Sequence, residues 1–179
     1  MARTQSVSLG ALFDEHVACE FAAKDADATM RTMAEDPIVV HVPVLTGGRG
    51  TDELHAFYRD WFIPAWPEDV EVEQVSRTVG SASVVDELII RFTHTREMPF
   101  WLPGIAPTNR RVEIPLVVVM GFKDDRVASE HIYWDQASLL AQIGLLDVVG
   151  LPIASGSSQA RALTDETVRL NLMISESGR

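Results

Sequence analysis

Four long stretches rich in β-branched residues, Val70–Val79, Ser83–Thr95, Arg111–Phe122 and Val127–Trp134, follow one another in the second half of the chain. Asp124-Asp125 marks the turn between the last two. Helical patterns come before this run, and one closing helix, QASLLAQIGLL, comes directly after it. That order favours an α+β roll over a doubly wound sheet, whose strands and helices would alternate.

The segments ahead of the strands are readable from spacing. Leu9, Leu12, Phe13, Val17 and Phe21 recur at helical intervals, with Asp14, Glu15 and Glu20 off that stripe. A second helix is expected over Ala26–Ala34, ended by Asp36-Pro37, since the residue before proline is pushed out of the helical region. Ile38–Val42 then reads as a strand. LTGGRGTDEL supplies glycines for a tight turn, and Thr51 or Asp52 is placed to cap the next helix, whose buried stripe reads Leu54, Phe57, Tyr58, Trp61 and Phe62.

A chain of 179 residues, 46% hydrophobic and 23% charged, suits one core, taken as residues 1–150. Residues 151–179 begin with a Gly/Ser-rich connector and hold one short helix over Ala160–Leu172; this tail is expected on the surface or against a partner subunit. The net charge of −11 repels phosphate backbones and anionic lipid surfaces, so neither nucleic acid nor a membrane is an expected partner. The N-terminus lacks the apolar core of a secretory signal, and no stretch has the length of a membrane span, which fits a soluble, cytoplasmic protein. Cys19, the single cysteine, has no internal disulfide partner and reads as a small buried hydrophobe.

Three segments are more specific: HVPVLTGGRGTDELHAFY, VVDELIIRFTHT with its trailing WLPGIAPTNRRVEIP, and EHIYWDQASLLAQIGLL. Together they resemble the SnoaL-like branch of the nuclear transport factor two-like superfamily over roughly Leu9–Pro152, with Asn109 standing where glycine is expected in the PTN turn. The resemblance implies a cone-shaped roll in which a strongly curved, mostly antiparallel sheet wraps around helices. It further implies a homodimer built from the outer sheet face and no metal or organic cofactor. Fold likeness does not fix a reaction, because polyketide cyclases, epoxide hydrolases, isomerase-like enzymes and binding proteins share the architecture.

The resemblance maps Asp135 onto the family's cavity acid, and strand alternation puts His131 and Tyr133 on the same face. A carboxylate beside imidazole and phenol suits general acid–base work if burial raises its pKa. A structural reading stands beside it: Asp135 immediately precedes a helix, and capping Ala137 or Ser138 would lower its pKa instead. His41 sits in an apolar strand that the resemblance places along the cavity, as a further catalytic candidate or a hydrogen-bonded wall residue, and His94 continues the face of Leu88, Ile90 and Phe92 toward the same interior. Tyr58, Trp61 and Trp101 are candidate pocket aromatics, Trp101 on an apolar loop suited to a rim or lid. His41, His94 and His131 lie on different strands without short ligand spacing, so no metal site is expected. Two functions follow: an enzyme doing acid–base chemistry on a hydrophobic small molecule with Asp135, His41 and His131, or a non-catalytic small-molecule-binding dimer. Paired titratable groups with opposing pKa shifts would separate them, since a binding pocket has no need of such groups.

Overall fold

The computed structural model describes residues 8–177; the reading of the first residues as lacking a secretory signal falls largely outside that range. Helix α1 (Leu9–Ala18) is capped by Ser8, whose hydroxyl accepts from Ala11 N at 3.2 Å, and runs on as a π-turn over Cys19–Ala23. Helix α2 (Ala26–Arg31), capped by Asp25, stops earlier than expected, and β1 (Met33–His41) begins at once. Pro37 therefore lies inside a strand and not at a helix end. The strand accommodates it at an irregularity, where the register against the neighbouring strand shifts between Met33 and Ile38.

The GGRG segment differs from the expected turn as well. It forms β2 (Thr46–Arg49), an edge strand antiparallel to β1, and the reversal is made by Val42–Leu45 before it. Gly47 sits at φ +130°, where a Cβ would strike the Val39 carbonyl oxygen, so the close pairing of these strands requires glycine there. Helix α3 (Gly50–Ala56) starts without a side-chain cap from Thr51 or Asp52. Instead the Glu53 carboxylate accepts the Arg49 N–H at 2.9 Å, and Thr51 turns away to the Glu35 carbonyl.

After α3 the chain continues as a π-turn (Phe57–Phe62) and a short 3-10 turn (Ile63–Ala65). Four long strands follow, β3 (Glu71–Val79), β4 (Ser83–Thr93), β5 (Arg111–Lys123) and β6 (Arg126–Trp134), each within a few residues of its expected bounds. They pair antiparallel in sequence, while β6 also pairs parallel with β1, giving one open six-stranded sheet ordered β2-β1-β6-β5-β4-β3. This is the mostly antiparallel α+β roll that the strand order implies.

The inner sheet face is set by alternation. Val84, Asp86, Leu88, Ile90 and Phe92 of β4, the even positions of β5 from Val112 to Met120, and Glu130, Ile132 and Trp134 of β6 are buried. Helix α1 is held against this face by Arg77 of β3, which makes two 2.7 Å bonds to buried Asp86, one of 2.8 Å to Asp14, and lies 4.7 Å over the Phe13 ring. Helix α4 (Gln136–Gln142) and α5 (Gly156–Thr164) pack against β5, with α6 (Leu172–Ser177) beyond. The tail helix thus starts at Gly156 and not Ala160, and it lies on the outer sheet face. Ile89 on that face is completely buried, and Cys19, expected to be buried, is only half-buried. Among the described residues no helix is long and apolar enough to cross a membrane.

Candidate active site

On α1 and its π-turn, the positions Phe13, His16, Val17, Glu20 and Phe21 follow the i, i+3, i+4, i+7, i+8 rule of a buried stripe. Two of the five are polar, and both are buried: His16 is 0% exposed and Glu20 4%. Glu20 is therefore on the inward face, not off it as its charge suggested. Across the interior, Glu130 is carried inward by the same alternation that buries Ile132 and Trp134, and Tyr58 of the α3 π-turn closes the group.

The His16 ring is the centre. Its Nε2 lies 3.3 Å from Glu20 Oε1, 3.7 Å from Glu130 Oε2 and 3.4 Å from the Tyr58 hydroxyl, which donates to Glu130 Oε2 at 3.5 Å. On the far side, Nδ1 is 2.6 Å from Thr32 Oγ1. The Thr32 hydroxyl spends its one hydrogen on the Thr29 carbonyl at 2.7 Å, so it accepts from His16, and Nδ1 carries a proton. Only Nε2 is left to exchange protons with the two carboxyl groups. Burial by itself would lower the His16 pKa, but the nearby Glu20 and Glu130 override it and raise it to about 10. Glu20 is raised above the usual carboxylate value by burial, opposed by His16 and reinforced by Glu130, and Tyr58 is raised by burial and both carboxylates.

Glu20 and Glu130 open onto a cavity whose walls are otherwise largely apolar, formed by α1, the α3 π-turn and the inner faces of β4, β5 and β6. Phe21, Phe62, Trp66 and Trp101 supply aromatic wall, with the Trp66 and Trp101 centroids 5.2 Å apart. The centres of water-sized molecules have about 50 Å³ to move in, several times the ~10–15 Å³ that one water needs. His41 lines the cavity too, surrounded by Phe57, Phe62, Phe100 and Trp134 with centroids at 5.7–5.8 Å. Its Nδ1 has no partner, nor do the indole N–H groups of Trp66 and Trp101. Burial lowers the His41 pKa to about 4, which keeps it neutral.

The expected site residues separate. His41, Tyr58 and Trp101 come together around this interior, Trp101 as a wall 1% exposed and not a rim. His94 is buried, as its strand face implies, but its Nδ1 accepts from Thr108 N at 3.3 Å and it does not line the cavity; burial lowers its pKa. Asn109 takes the left-handed φ of +56° that the PTN turn needs, a conformation asparagine tolerates.

Asp135, His131 and Tyr133 do share a face, as alternation requires, but it is the outer one, because Ile132 and Trp134 take the inner positions. Asp135 Oδ1 accepts from Ser138 N at 3.1 Å as the cap of α4, and Oδ2 accepts from Gln159 of the tail at 2.7 Å. Tyr133 is 42% exposed. Trp61 also leaves the expected stripe and is 53% exposed, because i→i+5 bonding over Phe57–Phe62 adds a residue to the turn and rotates position 61 outward.

His41, His94 and His131 do not form a ligand cluster. His16, Glu20 and Glu130 do offer one ligand atom each within 4.8 Å of one another, the only such group of three or more among the described residues. With Nδ1 fixed by Thr32, a metal would have to displace the proton from Nε2.

The family model for the SnoaL-like domain matches residues 13–130. Among solved structures, TsrD from Streptomyces laurentii superposes with a TM-score of 0.60 at 18% identity, covering 82% of this chain and 99% of that one. AclR from Streptomyces galilaeus gives 0.58 at 20% identity, over 78% and 86% of the two chains. SalBIII, an epoxide hydrolase/cyclase-like enzyme in pyran ring formation in the polyether salinomycin, gives 0.52 at 17%, over 71% and 90%. No curated protein matches the sequence.

Proposed function

The chain belongs to the SnoaL-like domain family, and from that premise we propose that it is an enzyme moving protons on a small hydrophobic molecule, with its own side chains as the proton carriers. One observation carries this reading: His16 held between Glu20 and Glu130 where both carboxyl groups meet an apolar cavity. The titratable groups there are driven apart, His16 and Glu20 upward and His41 downward, which is the arrangement that supports an enzyme over a passive pocket.

In this reading Glu130 takes a proton from an acidic carbon beside a carbonyl, and Glu20, favouring its protonated form, delivers one to the oxygen. His16 links the two carboxyl groups so that the proton can return. With an epoxide, the same pair would activate water and protonate the ring oxygen, chemistry of the kind named for SalBIII.

The test is a panel of small ketones and epoxides in D₂O, followed by NMR for loss of acidic C–H signal or ring opening. The wild type should exchange or open at least one compound, and Glu130→Gln and Glu20→Gln, shown folded by thermal melts, should lose about 10²–10⁴-fold in rate. A wild type inert across the panel would leave a binding protein, and variants that keep the full rate would take Glu20 and Glu130 out of the chemistry.

A further inference from the structure

The cavity has a charge sign as well as a shape. Glu20 and Glu130 face it, and among the described residues no lysine or arginine lines it. His16 stands behind the two carboxyl groups, fully buried, and is not part of the surface a ligand meets. The wall is also rich in aromatic rings, and the face of a ring, carrying the negative end of its quadrupole, is a surface that favours a cation. Phe62, Trp66 and Trp101 form contiguous wall, with neighbouring centroids at 5.8 and 5.2 Å. His41, also on the wall and 3% exposed, has a buried Nδ1 without a protein partner.

Two carboxylates and one imidazolium leave the cluster one positive charge short. With the cavity empty, a proton on one carboxyl group fills that place. A monocation seated beside the carboxylates would fill it equally well and release the proton. An anion would meet two acids and no lysine or arginine, and a neutral alkyl group would leave the proton in place.

We propose that this cavity is a receptor for a compact alkylammonium group, seated against Phe62, Trp66 and Trp101 with Glu20 and Glu130 as its counter-ions. The proposal deepens the proton-transfer reading by naming the charged part of the substrate, and it rests on that reading only for the cavity being the functional site; with the cation bound, the proton that Glu20 passes to the oxygen is the one on His16 Nε2, 3.3 Å away. A tertiary or quaternary ammonium is weakly hydrated, so aromatic faces replace its water shell at little cost. A divalent metal fits less well: it would have to strip the proton from His16 Nε2, and the wall offers few further oxygen ligands. The room available suits a headgroup of a few heavy atoms, not a long chain.

The released proton is a second signature, and it belongs to Glu20. The ionisable groups facing Glu20 are His16 on its own helix, Tyr58 of the α3 π-turn and Glu130 of β6, while His41 of β1 shares the cavity. Arg77 and Asp86 neutralise each other across β3 and β4. Glu20 is therefore the group whose raised pKa binding of a cation would pull down.

The experiment is calorimetric titration of the full chain with tetramethylammonium chloride, tert-butanol and sodium pivalate, three compact probes differing in charge. It is repeated across pH and in two buffers of different ionisation enthalpy. Tetramethylammonium should bind about tenfold or more tighter than tert-butanol, with pivalate weakest. Its affinity should rise with pH, with up to one proton released per cation bound. Glu20→Gln should abolish the release and weaken the cation without weakening the alcohol. Equal binding of cation and alcohol, preference for pivalate, no saturable cation binding, no proton release, or tight zinc binding that excludes the cation would each overturn the proposal. Because the wild-type titrations carry the outcome, a misfolded variant does not rescue it. If cation binding is absent while ketone exchange still depends on Glu130, the charge assignment fails and the proton-transfer reading survives.

Discussion

Asp135 and Glu130 stand five residues apart around the end of one strand, and their surroundings give them opposite roles. Asp135 is held by one helix N–H and one glutamine amide on the outer face; Glu130 faces imidazole, phenol and a second carboxyl group inside. Asp135→Asn keeps an oxygen for the cap, so it should cost about 1 kcal/mol or less and leave ketone exchange intact, measured by melts and the same NMR assay. Loss of exchange with an unchanged melt would return Asp135 to the chemistry. At this scale the sequence held more than charge intuition extracts from it. His16 and Glu20 occupy two places of the stripe begun by Phe13, and Glu130 shares the parity of Ile132 and Trp134. A polar residue at a position where the period demands an apolar one was the available signal. Nothing local showed that three such positions on two distant elements, with Tyr58 from a third, would converge.

Elements were legible where one period runs unbroken, as in β3 to β6 and α4, and illegible where it changes within the element. The π-turns after α1 and α3 shift which residues point inward, which is why Trp61 faces solvent while Phe62 is buried. The tail helix was readable as a helix but not as a cover, because its seat depends on contact with a distant strand. At its first residue, a Cβ on Gly156 would collide with the Glu113 carbonyl and the Gln142 side chain. Gly156→Ala should therefore lower stability by ~1–3 kcal/mol in a denaturant melt, despite the better helix propensity of alanine. An unchanged or raised stability would mean that α5 does not dock on β5 in this way.

The whole molecule combines a negative surface, an outer face partly taken by its own tail and an interior where protons are unevenly held. We expect two copies to associate through the part of the outer face that α5 leaves, near half-buried Val117 and Val119, giving twice the chain mass by light scattering; the mass of one chain at micromolar concentration would refute it. The interior sets the pH profile. His16 rises from 6.5 to about 10, so its stabilisation is complete below pH 6.5 and is lost as pH rises through about 10, and raised Glu20 acts in the same direction. His41 falls from 6.5 to about 4, so its contribution is present above pH 6.5 and lost as pH falls through about 4. The central claim is that Glu20, His16 and Glu130 hold protons as one unit, and ¹⁵N NMR of the labelled histidines across a pH titration tests it most directly. One imidazole, assigned to His16 by its loss in His16→Gln, should remain protonated on both nitrogens until about pH 10, while another, lost in His41→Phe, stays neutral down to about pH 4. A His16 that titrates near its ordinary 6.5 would contradict the account.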